Sequence, residues 1–130
     1  MQDCFLLDTH AFLWAIEGNQ QLSKRVRGLF ASESTLFVSV ASIWEIALKN
    51  DKGKLDASAA VIDEAMEQYG LVELPVRTAH VRLSSSLPKS VSHKDPFDRL
   101  IVAQAISEQL PLVTNDASIR REYRGIELIW

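Results

Sequence analysis

The sequence predicts a three-layer α/β/α sandwich around a mainly parallel central sheet of about five strands. Three observations predict it. Short apolar runs alternate with amphipathic segments along the chain. Helical segments separate the strands, which implies right-handed crossovers between parallel neighbours. Apolar runs also end abruptly in polar residues, as at Leu7-Asp8 and Val113-Thr114-Asn115-Asp116. In such sheets ligands bind beyond the carboxyl ends of the strands, near the point where strand order reverses.

The elements follow in order. Phe5-Leu6-Leu7 reads as a short buried strand bounded by Asp8. Thr9 to Glu17 is helical and stops at Gly18-Asn19, and Ser23 to Ser32 is a second helix with a basic face of Lys24, Arg25 and Arg27. Leu36 to Val40, β-branched and aromatic, is a strand. Ala41 to Asn50 is a helix with Gly53 as a stop signal beyond it, and Ser58 to Tyr69 is another, ended by Gly70 where a left-handed cap is usual. Leu71 to Leu74 is a strand closed by Pro75, and Arg77 to Ser86 is a short helix. The tract Ser84-Ser85-Ser86-Leu87-Pro88 then begins a surface loop toward His93. Pro96 to Gln109 is a strong helix, Leu112 to Thr114 a short strand, Ala117 to Tyr123 a short helix and Ile126 to Ile129 a last strand.

The length of 130 residues suits one domain over 1–130. With 47% apolar and 24% charged residues it is composed like an ordinary globule. A formal charge of -3 provides no global positive field, so nucleic acid would have to be met by local basic patches. The single cysteine, Cys4, excludes an intrachain disulfide and a cysteine-based zinc cluster, and it fits a reducing compartment such as the cytoplasm. Ala11 to Ile16, the longest apolar run, falls far short of the roughly 18 residues of a membrane span, so no membrane association is expected.

Acidic residues cluster where the fold class expects chemistry. Asp8 follows the first strand and also suits a helix N-cap. Glu45 lies in a narrow polar strip of an otherwise apolar helix, and its simplest partner is Lys49 one turn on. In Asp95-Pro96-Phe97-Asp98, Asp95 suits the N-cap, Pro96 the first helical position and Asp98 a capping-box acid. Asp116 follows an apolar strand and also suits a cap. Taken jointly, Asp8, Asp98 and Asp116 belong at one edge of the sheet, and Glu45 lies in the first turns of the helix leaving that edge. Converging carboxylates raise one another's pKa unless a cation offsets them. Oxygen ligands without a Cys or His cluster point to Mg²⁺ or Mn²⁺. Such an ion activates water and stabilises charge on a phosphoryl group, which is nuclease chemistry.

These segments resemble a known family. Leu6-Leu7-Asp8-Thr9-His10, Ser42-Ile43-Trp44-Glu45-Ile46, the run from His93 to Ala105, and Leu112-Val113-Thr114-Asn115-Asp116 are similar to the PIN domain, in the style of VapC toxins of type II toxin–antitoxin pairs. The resemblance spans essentially the whole chain. It implies that Asp8, Glu45, Asp98 and Asp116 form a catalytic quartet binding Mg²⁺ or Mn²⁺ for metal-activated water to attack an RNA phosphodiester. It also implies a small antitoxin partner. A homodimer is the expected assembly. Thr9, Thr114 and Asp95 are candidates to orient the site from behind the acids. Lys49, His93, Lys94 and Arg99 are candidate RNA contacts, with charge compensation as the alternative. Trp14 and Trp44, on apolar helix faces, read as core or subunit-interface residues, and His10 and His80 lack metal-ligand companions.

Rival readings fit less well. A phosphoacceptor receiver domain expects an Asp after the third strand, where Leu74-Pro75 stands, and a Lys after a late strand. A haloacid-dehalogenase-type phosphatase wants a second Asp two positions after Asp8, where His10 stands. A noncatalytic RNA-binding or scaffold domain of the same fold is opposed by the presence of all four acids.

Overall fold

The computed structural model describes residues 3–88 and 95–130. β1 (Cys4–Leu7), β2 (Thr35–Ser39), β3 (Val72–Leu74), β4 (Leu112–Val113) and β5 (Leu128–Ile129) form a five-stranded sheet in the order β3-β2-β1-β4-β5. Every pairing is parallel. β1 sits in the middle, with Leu6 opposite Phe37 of β2 on one side and opposite Leu112 of β4 on the other. The chain builds outward through β2 and β3, then returns past β1 to lay down β4 and β5. The switch point therefore lies between β1 and β4, whose carboxyl ends lead to Asp8 and to Thr114-Asn115-Asp116.

The helices are α1 (Thr9–Glu17), α2 (Lys24–Ala31), α3 (Val40–Asp51), α4 (Ala59–Gln68), α5 (Thr78–Ser86), α6 (Pro96–Glu108) and α7 (Ala117–Glu122). Successive strand residues point to opposite faces, and the core divides accordingly. Leu7 and Val113 face one cluster with Phe12, Val26, Ile46 and Ile62; Leu6 and Leu112 face the other with Ile101, Val102 and Ile119. The sheet is thus covered on both sides, which is why its central strands are continuously apolar. Among the described residues no helix is long and apolar enough to cross a membrane.

Element boundaries shift where capping decides them. Val40, expected to end the second strand, opens α3, because the Ser39 hydroxyl accepts from the Ala41 amide at 3.0 Å. Ser23 and Ser32, expected inside a helix, flank α2, and Ser23 accepts from Val26 N at 3.1 Å. Gln109 leaves α6 with φ +55°, a left-handed cap supplied here by a residue other than glycine. The last two strands are shorter than expected, Leu112–Val113 and Leu128–Ile129, with Thr114 N and Glu127 O still hydrogen-bonded across their ends to Ile129 O and Leu112 N.

Two buried polar ties hold the layers in register. Gln104, fully buried on α6, accepts from Ser39 Oγ and donates from Nε2 to Pro75 O at 3.1 Å. One side chain therefore joins α6 to the ends of β2 and β3. His80, also buried, accepts from Arg77 N at 3.0 Å and sets its Nε2 3.2 Å from Glu108 Oε2, seating α5 on α6. Replacing Gln104 by Leu strands the Pro75 carbonyl and the Ser39 hydroxyl proton. Buried polar groups left unpaired cost about 1–3 kcal/mol. Gln104→Leu is expected to lower unfolding free energy in urea by that order, with an unchanged denaturant slope.

Candidate functional site

The acids reach the sheet edge on the elements that the topology brings there. Asp8, directly after β1, is 4% exposed and caps α1 by accepting from Ala11 N at 2.7 Å. The Thr114 hydroxyl, beyond β4, donates to the same carboxylate. Asp116 caps α7 through Ser118 N at 2.7 Å and Ile119 N at 3.3 Å, while its own amide donates to Thr114 Oγ1 at 3.0 Å. Thr114 therefore links the two acids on either side of the switch point. Asp95 caps α6 through Phe97 N at 2.8 Å and Asp98 N at 3.2 Å, with Pro96 in the first helical position. Asp98 follows in the first turn of α6. Glu45 lies on α3, 5% exposed.

Electrostatics tie these groups together. Burial pushes the Asp98 carboxyl up to about 8, reinforced by the negative charges of Asp95, Glu45, Asp8 and Asp116. Burial also pushes Asp8 up to about 6, against the hydrogen bonds from Thr114 and Ala11, with Asp116 adding repulsion. Glu45 Oε2 accepts from Lys49 Nζ at 3.1 Å, but Oε1 is buried with no hydrogen-bond partner among the described residues. A buried carboxylate oxygen left bare is costly. Among the described residues no three Asp, Glu, His or Cys side chains form a ready-made metal cage. The orphaned Glu45 oxygen, the oxygen-only donor set and the uncompensated repulsion on Asp98 nevertheless fit a hard divalent cation.

Other expected site residues fare differently. Thr9 is buried and donates to Ser42 Oγ at 3.0 Å, so its proton braces α1 against α3. Lys49 is committed to Glu45, the i,i+4 partner foreseen as the simpler alternative. Arg99, a candidate RNA contact, uses its guanidinium within the fold: it donates to Ser84 O at 2.6 Å, Pro88 O at 2.8 Å and Leu87 O at 3.0 Å. It gathers the carbonyls that α5 leaves unpaired, a structural task for a five-donor fork. His93 and Lys94 lie outside the described residues. Trp44 is 59% exposed, which excludes it from the core, and its ring meets Phe97 edge-on at 5.2 Å. Trp14 lines a cleft of about 210 Å³ with Asp8, His10, Asn115, Asp116 and Trp130. Sequence reasoning passed over His10 as part of that cleft, although its spacing of four from Trp14 in the helix that Asp8 caps was the available signal.

The raised Asp98 value has a defined consequence for the metal-free protein. The unfolded carboxyl ionises near its ordinary 3.8, whereas the folded one holds its proton to about 8. Folding stability therefore falls as pH rises between those values, because the native state binds more protons there. Asp98→Asn removes that loss. Thermal denaturation across pH is expected to find Asp98→Asn more stable than wild type at neutral pH, with the difference closing toward pH 4.

Comparison with known proteins agrees with this architecture. The family model described as PIN domain matches residues 5–124. The chain is 31% identical over 121 residues to Ribonuclease VapC22 of Mycobacterium tuberculosis, covering 88% of each. In fold it is similar to a chain of the VapBC2 crystal structure from Rickettsia felis bound to a promoter DNA fragment, with TM-score 0.70, 18% identity and 98% of each chain covered. It is likewise similar to VapBC-5 of M. tuberculosis, described as a member of the VapBC family of toxin–antitoxin systems, with TM-score 0.60, 18% identity and 97% of each chain covered. The two structural likenesses establish the fold, and the match along nearly the whole sequence establishes descent: the chain belongs to the PIN domain family.

Proposed function

We propose that the protein is a Mg²⁺- or Mn²⁺-dependent endoribonuclease and the toxin of a type II toxin–antitoxin pair. The observation that carries this reading is the bare, buried Glu45 oxygen in a group of acids whose mutual repulsion reaches Asp98. Its relative VapC22 is named a ribonuclease, and neighbours in fold come from VapBC systems.

In this reading Asp8, Glu45, Asp98 and Asp116 hold the cation. A bound divalent ion supplies acidity to water and charge stabilisation to a phosphodiester under attack. The chain's own residues supply the arrangement. Thr114 orients the Asp8 carboxylate and the Asp116 backbone. The α1 and α7 amide groups each bind one oxygen of their capping acid, which fixes where the remaining oxygen can point. Asp95 sets the start of α6 and so the position of Asp98. RNA is then the substrate, its phosphates drawn by the cation and not by the net-negative protein surface. An antitoxin tail would lie along α1 and α3 and could place a basic side chain against the same acids, offsetting their charge in place of the ion. A homodimer belongs to this reading as well, with a second copy covering the exposed Trp44 and the edge of the half-buried Phe97 that it meets.

Pure protein is expected to cleave RNA with Mg²⁺ or Mn²⁺ and to stop in excess EDTA; cleavage undiminished by EDTA would overturn the metal mechanism. Asp8→Asn, Glu45→Gln and Asp98→Asn are each expected to lower cleavage by orders of magnitude while the protein stays folded. Asp95→Asn should cost only about 1 kcal/mol of stability, as a cap does, and keep activity. Expression of the chain alone is expected to slow growth, and co-expression of its partner gene to restore it. Normal growth with abundant active protein would remove the toxin role and leave a housekeeping nuclease.

A further inference from the structure

The cleft beside the acids combines two unlike chemistries. Asp8 and Asp116 contribute carboxylates, while His10, Trp14 and Trp130 contribute aromatic rings and Asn115 an amide. The rings form a continuous chain: His10 stands 5.9 Å from Trp14, and Trp14 meets Trp130 edge-on at 5.7 Å. His10 and Asn115 are exposed, and the two indoles are half-buried. Each indole packs one part of its surface against the core cluster that holds Leu7, Phe12 and Val113, and turns the rest to a cleft lined by Asp8 and Asp116. At about 210 Å³ the cleft is smaller than the roughly 300–1,000 Å³ that encloses a drug-sized ligand, and it suits one planar heterocycle.

Resting on the ribonuclease reading, we infer that this cleft is a nucleobase subsite for a nucleotide adjoining the scissile phosphate. The division of labour follows from charge. Asp8 and Asp116 repel the phosphates of an RNA strand except where a cation offsets them, so what enters the ring-lined part is the uncharged base. An aromatic surface binds any base through its π-face, and base–aromatic stacking is sequence-tolerant. Asn115 adds one amide donor pair and one acceptor, which can discriminate among base edges. The subsite thus fixes the strand's register relative to the acids, and its occupant is a single-stranded, unstacked nucleotide, because a base stacked within a duplex has both faces covered by its neighbours.

The test reads binding and not cleavage. The chain has three tryptophans, so uniformly ¹⁵N-labelled protein gives three indole N–H resonances, assignable by Trp→Phe variants. The probes are adenosine, guanosine, cytidine and uridine 5′-monophosphates in Mg²⁺, with ribose 5-phosphate as the baseless control; none contains a phosphodiester. The nucleotides are expected to shift the Trp14 and Trp130 signals saturably at millimolar concentration and to leave Trp44 in place, while ribose 5-phosphate shifts neither. His10→Ala, a change at an exposed position, is expected to weaken nucleotide binding by at least about fivefold, the lower end of what one stacked base contributes. Equal shifts with ribose 5-phosphate, movement of Trp44 together with the pair, no saturable shift, or an unchanged Kd in His10→Ala would each overturn the subsite. If nucleotides fill the cleft but RNA is never cut, the nuclease reading falls and the base subsite stands; if RNA is cut while nucleotides miss these tryptophans, the reverse holds.

Discussion

Holding several carboxylates close together, two of them buried, without an equal positive charge is the constraint around which this molecule is organised. Each acid would be unfavourable in isolation. The fold answers with partial measures: amide groups at helix starts for Asp8, Asp95 and Asp116, a hydroxyl from Thr114 for Asp8, and an ammonium from Lys49 for one oxygen of Glu45. The measures stop short of neutrality. Asp98 absorbs the remainder by holding its proton, and Glu45 Oε1 is left bare. A site that is incompletely compensated by its own chain is one that gains most from a cation.

The caps make this arrangement economical. A helix N-terminus presents unpaired amides and a partial positive charge, so an acid there stabilises the helix as it enters the site. Three of the five acids near Asp98 or at it, namely Asp8, Asp95 and Asp116, are N-caps of α1, α6 and α7. Structural and chemical readings of these residues are therefore complementary. The same double use explains why the switch point between β1 and β4 matters: parallel strands deliver helix starts, and hence capping acids, to one edge of the sheet.

The polar ties away from the edge protect that geometry. Gln104 reads the ends of β2 and β3 from α6, the same helix whose first turn carries Asp98. Arg99, one residue later, binds the end of α5. The position of Asp98 is thus held from the sheet and from α5, and a cationic residue adjacent to the acids is spent on backbone carbonyls instead of on charge compensation.

The sequence by itself determined the element order, the layer class and which acids stand at the carboxyl edge of the sheet, because these depend on short-range signals. Alternating periodicity, serine and aspartate caps and glycine stops act within a turn or two, and the apolar runs ending in Asp8 and Asp116 already marked the carboxyl edge. Only the tertiary structure decided what spans the chain. Thr114 meets Asp8, and Gln104 meets Ser39 and Pro75, because strand order makes residues far apart in sequence neighbours. It likewise decided how like residues divide: Arg99 goes to carbonyls and Lys49 to Glu45, while Trp14 turns toward a cleft and Trp44 toward solvent. A side chain's partner is set by which surfaces the sheet brings together, and no local pattern encodes that.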